Sequence, residues 1–537
     1  MKLEAQEFYQ QERDKQLLIC KKLEKQIKKY SRIRLVWFII GMILIYYSSS
    51  EGWFWFGFFL LLFIISFAMI AIRHGHLMAK KKREDKYQKL IIQETEAIKG
   101  NYSSFNTGSE YINKQHPFSS DLDIFGNKSI FQMLDRGFSN KGRERLANTL
   151  RELENNVSDI LNRQEAIEEL SENPSWTIRF RVLGNIAFTK ENSYSPDPNI
   201  LAKNLPLWIT RKSIFNKNIF IVAQYVLPLI SWIALAFYIN DDISSMEFLF
   251  YVIISLGFTS LYSSKINKQH QELSKQAAVL FRFKDLIRVL ELEEFKSKRL
   301  LMLQKEFTLE KNTVSGALNE LGKITEAFDS RLNMLVWPIL NYFLLWDIRQ
   351  SIRLEHWKAK YASLTETVFN SIAEMEMLVS LSTFLYNRED VIFPELSENE
   401  FGVEGKLVGH PLMSQESRVD NDISFGHKGL FCIITGANMA GKSTYLRTVG
   451  VNLILALIGA PVCAQYFKTS IFKPFTSIKT TDSLSDNESY FYAELLRLQR
   501  IIEAIQSGEN HFIILDEILK GTNSNDKEQG SRALLEK

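Results

Sequence analysis

The chain has little of what cross-links or interrupts a fold. Three cysteines stand among 537 residues, Cys20, Cys432 and Cys463, far apart and without metal-type spacing. That excludes a disulfide framework and a zinc ribbon, and fits a reducing cytosol. Charge of one sign is scarce: the net charge is +3, so any nucleic-acid surface must be local. Residues 1–34 lack an early apolar stretch and a small-residue cleavage site, which excludes a secretory signal. Their Lys, Glu and Gln predict a charged helix. There is no internal repeat and no low-complexity tract. What is present, 46% hydrophobic and 24% charged residues, can build cores, and the length implies several domains.

Charge is also missing from four long runs. Between Leu35 and Ile72 the only charged residue is Glu51, enough for two membrane crossings around a turn at Ser48–Gly52. Ile219–Ile239 and Phe248–Ser264 are two further uncharged runs, separated by Asp241, Asp242 and Glu247. Basic residues flank both pairs: Lys28, Lys29, Arg32 and Arg34; Arg73 and Lys80–Arg83; Arg211, Lys212 and Lys217; Lys265 and Lys268. The short turns carry none. This pattern predicts a multi-pass protein of the cell membrane with both termini and all large segments cytoplasmic, and lipid as a partner.

The organisation expected is a charged helix at 1–34, a transmembrane hairpin at 35–75 and a polar linker at 76–120. A helical segment at 121–213, a second hairpin at 214–264 and long helices at 265–395 follow. Residues 265–390 are almost free of Pro and Gly, and Leu280, Phe283, Ile287 and Leu290 recur at helical spacing. From 396 to 537 short apolar runs bounded by Gly, Asp and Asn predict an α/β domain.

Phe431–Ile434 reads there as a buried parallel strand and Thr444–Ile458 as a helix. Between them Gly436, Gly441, Lys442 and Ser443 satisfy the Gly-x-x-x-x-Gly-Lys-Ser pattern of a phosphate loop. Backbone N–H groups of such a loop and the helix N-terminus attract phosphate. Gly436, Ala437, Asn438, Met439, Ala440, Gly441, Lys442, Ser443 and Thr444 are thus the candidate nucleotide-binding residues. Lys442 would reach the β- and γ-phosphates of ATP, and Ser443 would ligate Mg²⁺. A second apolar run, His511–Leu515, ends in Asp516 and Glu517, at the strand edge where ligands of parallel sheets bind. Asp516 is the second candidate Mg²⁺ residue. Glu517 is the candidate general base, which with Lys442 makes the expected catalytic pair of an ATPase.

The loop Thr435–Arg447 resembles that of the MutS family of DNA mismatch-repair ATPases, with Asn438 and Met439 as its specific part and Ala437 in place of that family's proline. Asp516–Thr522 resembles the family's Asp-Glu-Ile-Gly-Arg-Gly-Thr, with Leu519 in place of the glycine. Asp482–Phe491 with Glu494 resembles its signature segment. The resemblance implies that Ser489 acts in trans on the nucleotide of a second subunit, hence a homodimer through the ATPase domains. By spacing alone Ser489 is a helix cap and Glu494 is solvated. Asp121–Gly126, Gly142–Leu146, Arg163–Ala166, His410–Leu412 and Asn421–Asp422 are similar to other parts of the family and read as structural.

The implied fold is multidomain, α plus α/β. It comprises transmembrane hairpins, a helical MutS-like core and lever region, and a C-terminal P-loop, ABC-type ATPase domain. No segment before 121 resembles a mismatch-reading domain, and Phe393-Pro394-Glu395 reads as a loop. The family's further strands and γ-phosphate-sensing histidine are missing after Asp526, so the ATPase domain reads as truncated at its C-terminus. The expected function is an ATP-dependent, sequence-independent DNA transaction linked to mismatch repair, at the membrane. Lys265–Arg288 is the candidate basic surface. Alternatives are a transporter-type ATPase and an ATP-gated membrane dimer without a DNA role.

Overall fold

The computed structural model describes residues 2–50, 52–189, 198–309, 312–362, 364–398, 402–426, 431–437, 440–478, 490–519 and 524–535. Two compact units arise: Met1–Gly137 with Arg143–Val182 and Glu376–Lys537, and Phe138–Gly142 with Leu183–Met375.

The first unit begins with two long helices, α1 (Lys2–Ser48) and α2 (Trp53–Ile98), which pack against each other. Ala5, Tyr9, Gln16, Cys20 and Leu23 of α1 are buried, at steps of three, four and seven that suit a helix–helix seam. Farther along, Trp37 Nε1 donates to Ser66 Oγ at 2.9 Å. There the flanking side chains face outward: Leu35, Val36 and Ile39 on α1, and Trp53, Phe54 and Leu61 on α2 are exposed. Helix α2 does not stop at 75. Residues 76–98 contain neither Pro nor Gly and are rich in Lys, Glu and Leu, so the helix runs through half of the expected linker. Gly100, with φ +87°, lies just beyond its end.

Helices α3 (Ile130–Leu134), α4 (Asn140–Arg151), α5 (Val157–Glu172) and α6 (Pro174–Phe188) follow. A wholly buried carboxylate, Glu94 of α2, ties several of these pieces together. Its Oε1 accepts from Arg181 Nη2 at 2.5 Å and pairs with Arg136 Nε at 2.7 Å. Its Oε2 accepts from Asn387 Nδ2 at 2.9 Å, and Asn387 Oδ1 accepts from the Tyr9 hydroxyl at 2.9 Å.

The second unit holds α7 (Pro198–Thr210), then α8 (Asn218–Ile239) and α9 (Ser245–Leu261), the hairpin expected at 214–264. Ser244 and Glu247 cap α9 reciprocally: Glu247 N donates to Ser244 Oγ at 3.3 Å and Ser244 N donates to Glu247 Oε2 at 2.7 Å. Next come α10 (Ser263–Leu292), α11 (Lys298–Lys305), the short pair β1 (Thr308–Leu309) and β2 (Asn312–Thr313), and α12 (Val314–Asp329). Helices α13 (Val336–Leu344), α14 (Trp346–Tyr361) and α15 (Leu364–Asn387) complete the helical stretch. Leu280, Phe283, Ile287 and Leu290 of α10 are buried, the apolar face that their spacing predicts. Lys265, Lys268, Lys275 and Arg288 lie on its exposed side. Among the described residues four helices are long and apolar enough to cross a membrane: most of α1, α2, α8 and most of α15. The last is almost wholly buried and is a core helix. Helices α9 and α10 meet that criterion only together, with a 53° bend between them.

The C-terminal part of the first unit contains two small sheets rather than one parallel sheet. Strands β3 (Glu395–Ser397), β4 (Val403–Val408), β5 (Asn421–Phe425) and β6 (Tyr466–Ser470) are ordered β3-β6-β4-β5. Of these pairs only β3 with β6 is parallel. Strands β7 (Lys473–Ser477) and β8 (His511–Leu515) form a separate parallel pair, from Lys473 opposite His511 to Ser477 opposite Leu515. Between them lies α17 (Tyr490–Gln506); α16 (Lys442–Leu457) precedes β6 and α18 (Ser524–Leu535) follows β8.

Replacing Glu94 by Ala strands two buried guanidinium groups, and is expected to cost about 3–5 kcal/mol of stability, read by urea unfolding of the full chain. Burial alone would raise the Glu94 pKa, but Arg136 and Arg181 hold it below the usual value. A depressed folded pKa gives stability that is present above the unfolded carboxylate pKa. It is lost as pH falls through the lower folded value. Glu94→Gln should remove that acid-side dependence.

Candidate phosphate-binding site

The site starts at the N-terminus of α16. Gly441 precedes this helix with φ +89°, a conformation costly for any residue with a Cβ. The chain enters the helix sharply here, and the first N–H groups of α16 have no partner within the helix. Farther along, Thr448–Leu457 are all buried. Gly450 lets α16 approach closely, since a Cβ there would lie 2.8 Å from Leu122 Cδ2 and 3.1 Å from Ile514 Cδ1 of β8.

Lys442 is turned back into the loop: its Nζ donates to Gly436 O at 2.6 Å and to Ala437 O at 3.3 Å. The next residue reaches across to the end of β8, where Ser443 Oγ donates to Asp516 Oδ2 at 2.5 Å. Asp516 is held by the parallel pair, its N–H donating to Ser477 O at 2.9 Å. Glu517 follows, exposed and with φ +45°. Lys442, Ser443 and Asp516, which lie 74 residues apart from first to last, are thus brought to one place. Ala440 and Thr444 flank them. Asn438, Met439 and Ser489 lie outside the described residues, as do Lys520–Thr522.

Phe431–Ile434 is not the buried strand expected. It joins no ladder among the described residues, and Phe431 and Ile433 are exposed. A short apolar run becomes a strand only where neighbours offer unpaired N–H and C=O groups, and sequence shows the run but not the neighbours.

Leu519 stands where the resembled motif has glycine, and it keeps a glycine-like backbone with φ +58°. Two contacts hold it there. Its N–H donates to Glu494 Oε1 at 2.6 Å, and its side chain packs with Phe475, Leu498 and Ile501. Glu494 is therefore a buried residue that fixes the turn after Asp516 and Glu517, not a solvated one. Polar spacing on α17 gives no sign of this, because Glu494's partner is a backbone N–H 25 residues away.

Four of the five dispersed segments read as structural converge on the same elements; the fifth, Gly142–Leu146, instead holds the turn before α4, where Arg143 Nη2 donates to Gly137 O at 2.9 Å. Asp121 Oδ2 accepts from Thr476 Oγ1 at 2.7 Å and from Ile478 N at 3.2 Å. Arg497 Nη2 reaches it at 3.3 Å and also donates to Pro117 O at 2.7 Å. Asp123 lies 3.8 Å from Arg447 of α16, and the Tyr445 hydroxyl donates to Asp422 O at 3.3 Å. Arg163 Nη1 donates to Ile458 O at 2.7 Å, a cation at the C-terminal end of α16. His410 is pulled down to about 4 by burial and then by Arg447, so it is neutral near pH 7 and accepts from Leu412 N at 3.3 Å. Asn452 of α16 joins Gly409 O at 3.0 Å to Cys463 N at 2.8 Å.

Leu519→Ala should destabilise the full chain by roughly 2–5 kcal/mol, for lost packing. Leu519→Gly should be more stable than Leu519→Ala by about 1 kcal/mol, because glycine bears the left-handed conformation without strain. At an ordinary position the order is reversed, so thermal unfolding of the two variants tests the backbone assignment.

Residues 432–537 match MutS domain V. The DNA mismatch repair protein MSH3 of Vanderwaltozyma polyspora is 34% identical over 183 residues, 33% of this chain and 18% of that protein. The DNA mismatch repair protein MutS of Geobacillus thermodenitrificans is 33% identical over 202 residues, 37% of this chain and 21% of that protein. For MutS of Bacillus subtilis the identity is 30% over 203 residues, 37% of this chain and 22% of that protein. The chain thus spans about a fifth of the length of these relatives. Residues 432–537 form a MutS-type domain V, and through that domain the chain is related to the MutS proteins.

Proposed function

We propose that the chain is a membrane-anchored, MutS-like ATPase whose nucleotide state governs sequence-independent binding to DNA. The observation that carries the ATPase reading is the hydrogen bond from Ser443 Oγ to Asp516 Oδ2 at 2.5 Å, with the Lys442 ammonium held inside the loop beside it. A hydroxyl and a carboxylate oxygen converging at the end of a parallel strand suit a hard cation. Mg²⁺ characteristically takes one or two protein oxygens and fills its remaining positions with water and phosphate. Ser443 and Asp516 would hold Mg²⁺, which would neutralise charge on the β- and γ-phosphates.

The roles of this chain's own groups follow from position. Lys442 leaves the loop carbonyls for the phosphate oxygens, and the N-terminal N–H groups of α16 add to that attraction. Gly436, Ala437, Asn438, Met439, Ala440, Gly441 and Thr444 complete the loop. Glu517, one residue beyond Asp516, takes the proton of the attacking water. Its left-handed backbone is a strain of the kind stored at working sites. Ser489 serves the nucleotide of a second copy in a homodimer.

Membrane anchoring rests on the exposed apolar surfaces of α1, α2, α8 and α9. Leu35, Ile39, Trp53, Phe54, Leu229, Trp232, Phe250 and Ile253 all face outward in uncharged stretches flanked by basic residues. In water such surface would be a large liability, and a bilayer removes it. Both termini and the nucleotide domain are then cytoplasmic. The DNA role rests on the relatives being DNA mismatch repair proteins and on the exposed bases of α10.

Lys442→Ala should abolish binding of a fluorescent ATP analogue. Glu517→Ala should bind ATP normally and lower steady-state hydrolysis by at least about 100-fold, the usual scale of general-base loss; wild-type turnover would remove Glu517 from the mechanism. Membrane fractions should keep the chain through carbonate extraction, and release into the supernatant would contradict the anchor. Duplex, mismatched and branched DNA should each bind in the presence of ATP, with affinity falling steeply with salt. Absence of binding at low salt, with and without ATP, would remove DNA from the function.

A further inference from the structure

A cleft of about 640 Å³ opens between α1 and α2, on the side of the hairpin beyond its apolar stretches. Five lysines line it: Lys28 of α1, and Lys81, Lys82, Lys86 and Lys89 of α2. Two carboxylates, Glu24 and Asp85, stand against them, so the lining carries a net charge of +3. Glu24 is already engaged, 2.9 Å from Lys81 Nζ.

Lys82, Lys86 and Lys89 follow one another at helical steps of four and three, so like charges are stacked on one face of α2. Such stacking destabilises a helix. The facing helix adds Lys28 to the same cleft, and its one carboxylate there, Glu24, is taken up by Lys81. Among the described residues, no carboxylate lies within ion-pair distance of Lys28, Lys82 or Lys89. Burial, and then Lys89 and Lys82, lower the pKa of Lys86, which shows that these ammonium groups feel one another. The remaining walls are apolar, with Ile27, Met78 and the lysine methylenes. A seam built only to hold two helices together pairs opposite charges across it. This one gathers cations over an apolar floor, the complement of an amphiphilic anion.

We propose that this cleft binds the phosphate of an anionic phospholipid headgroup. Its position favours a lipid as the source of the phosphate. Met78 lies six residues past Ile72, about 9 Å along the helix at 1.5 Å per residue. The headgroup layer extends roughly 5–7 Å beyond the hydrocarbon on each side of a bilayer. The cleft therefore begins at the outer edge of the headgroup layer, with its apolar residues nearest the membrane and Lys89 farthest from it; side chains on a helix lean toward its N-terminus, which on α2 is the membrane side. Basic pockets at this level recognise anionic headgroups. The lipid source rests on the membrane-anchored reading, whereas the cleft and its charge do not.

The test uses the full chain, purified in a neutral detergent and titrated separately with phosphatidylglycerol, phosphatidylcholine, sn-glycerol 3-phosphate and duplex DNA. Phosphatidylglycerol should bind with phosphatidylcholine much weaker. Lys82→Gln, Lys86→Gln and Lys89→Gln together should weaken phosphatidylglycerol binding about 100-fold, since each basic residue near an anionic headgroup contributes roughly five-fold. Thermal unfolding and nucleotide binding of that variant should match the wild type, and Lys86→Arg should keep lipid binding. Equal binding of phosphatidylglycerol by wild type and triple variant would overturn the proposal. So would glycerol 3-phosphate binding as tightly as the lipid, which identifies a soluble phosphate site. Preferential, lysine-dependent binding of duplex DNA would overturn it in favour of a nucleic-acid surface. Because detergent micelles present the lipid without a bilayer, this result is independent of the carbonate extraction that tests the anchor itself.

Discussion

The first unit depends on a carboxylate that water never reaches. Glu94 would be strongly destabilising alone, since an ion taken out of water loses far more than one hydrogen bond returns. Arg136 from the loop after α3, Arg181 of α6 and the amide of Asn387 make it tolerable. The result is a knot that joins Tyr9 near the start of the chain, the far end of α2, Arg136, Arg181 and the last residue of α15. From that knot the chain goes on at once to Asp390, which Arg388 and Arg418 both hold and whose pKa they drive far below the usual carboxylate value despite its burial. Arg388 also donates to Pro411 O, beside His410 and close to α16. Two buried polar clusters, one around Glu94 and one around Asp390, are thus joined through the short segment Asn387–Asp390. Each polar group must keep its partner because its surroundings offer no water as a substitute.

Local chemistry made part of this readable. Gly441-Lys442-Ser443 announces a helix start, His511–Leu515 a strand, and Asp516 its end, because each signal is complete within a few residues. The face Leu280, Phe283, Ile287 and Leu290 is equally local. Helix α2 overran its expected end because apolar content marks where a helix meets an apolar medium, while backbone propensity decides where it stops. Glu94 could not be picked out from 76–98, a stretch dense in Lys, Glu and Gln where nearly every charge is solvated. Its burial is decided by residues as far off as Asn387. The strand expected at Phe431–Ile434 failed for the same reason in reverse: its apolar pattern was local, and its pairing was not.

Leu519 and Glu517 show how the C-terminal domain manages strain. Two residues with side chains hold positive φ within three positions, at the turn that follows Asp516. Nothing in the turn itself favours this. The conformation is held from outside, by Glu494 beneath the backbone and by the apolar cluster around Leu519. A turn braced by a buried carboxylate on α17 is coupled to that helix. Movement of α17 would alter the backbone that positions Glu517.

Helix α2 is one uninterrupted rod of 46 residues, with Trp53 at one end and Glu94 near the other. At 1.5 Å per residue it is about 69 Å long. It contains no proline, and its two glycines, Gly57 and Gly75, sit within continuous helix. Such an element absorbs little bending, so it acts as a lever arm. A tilt of a few degrees at the apolar end becomes a displacement of several ångströms at the other, where Glu94 is held.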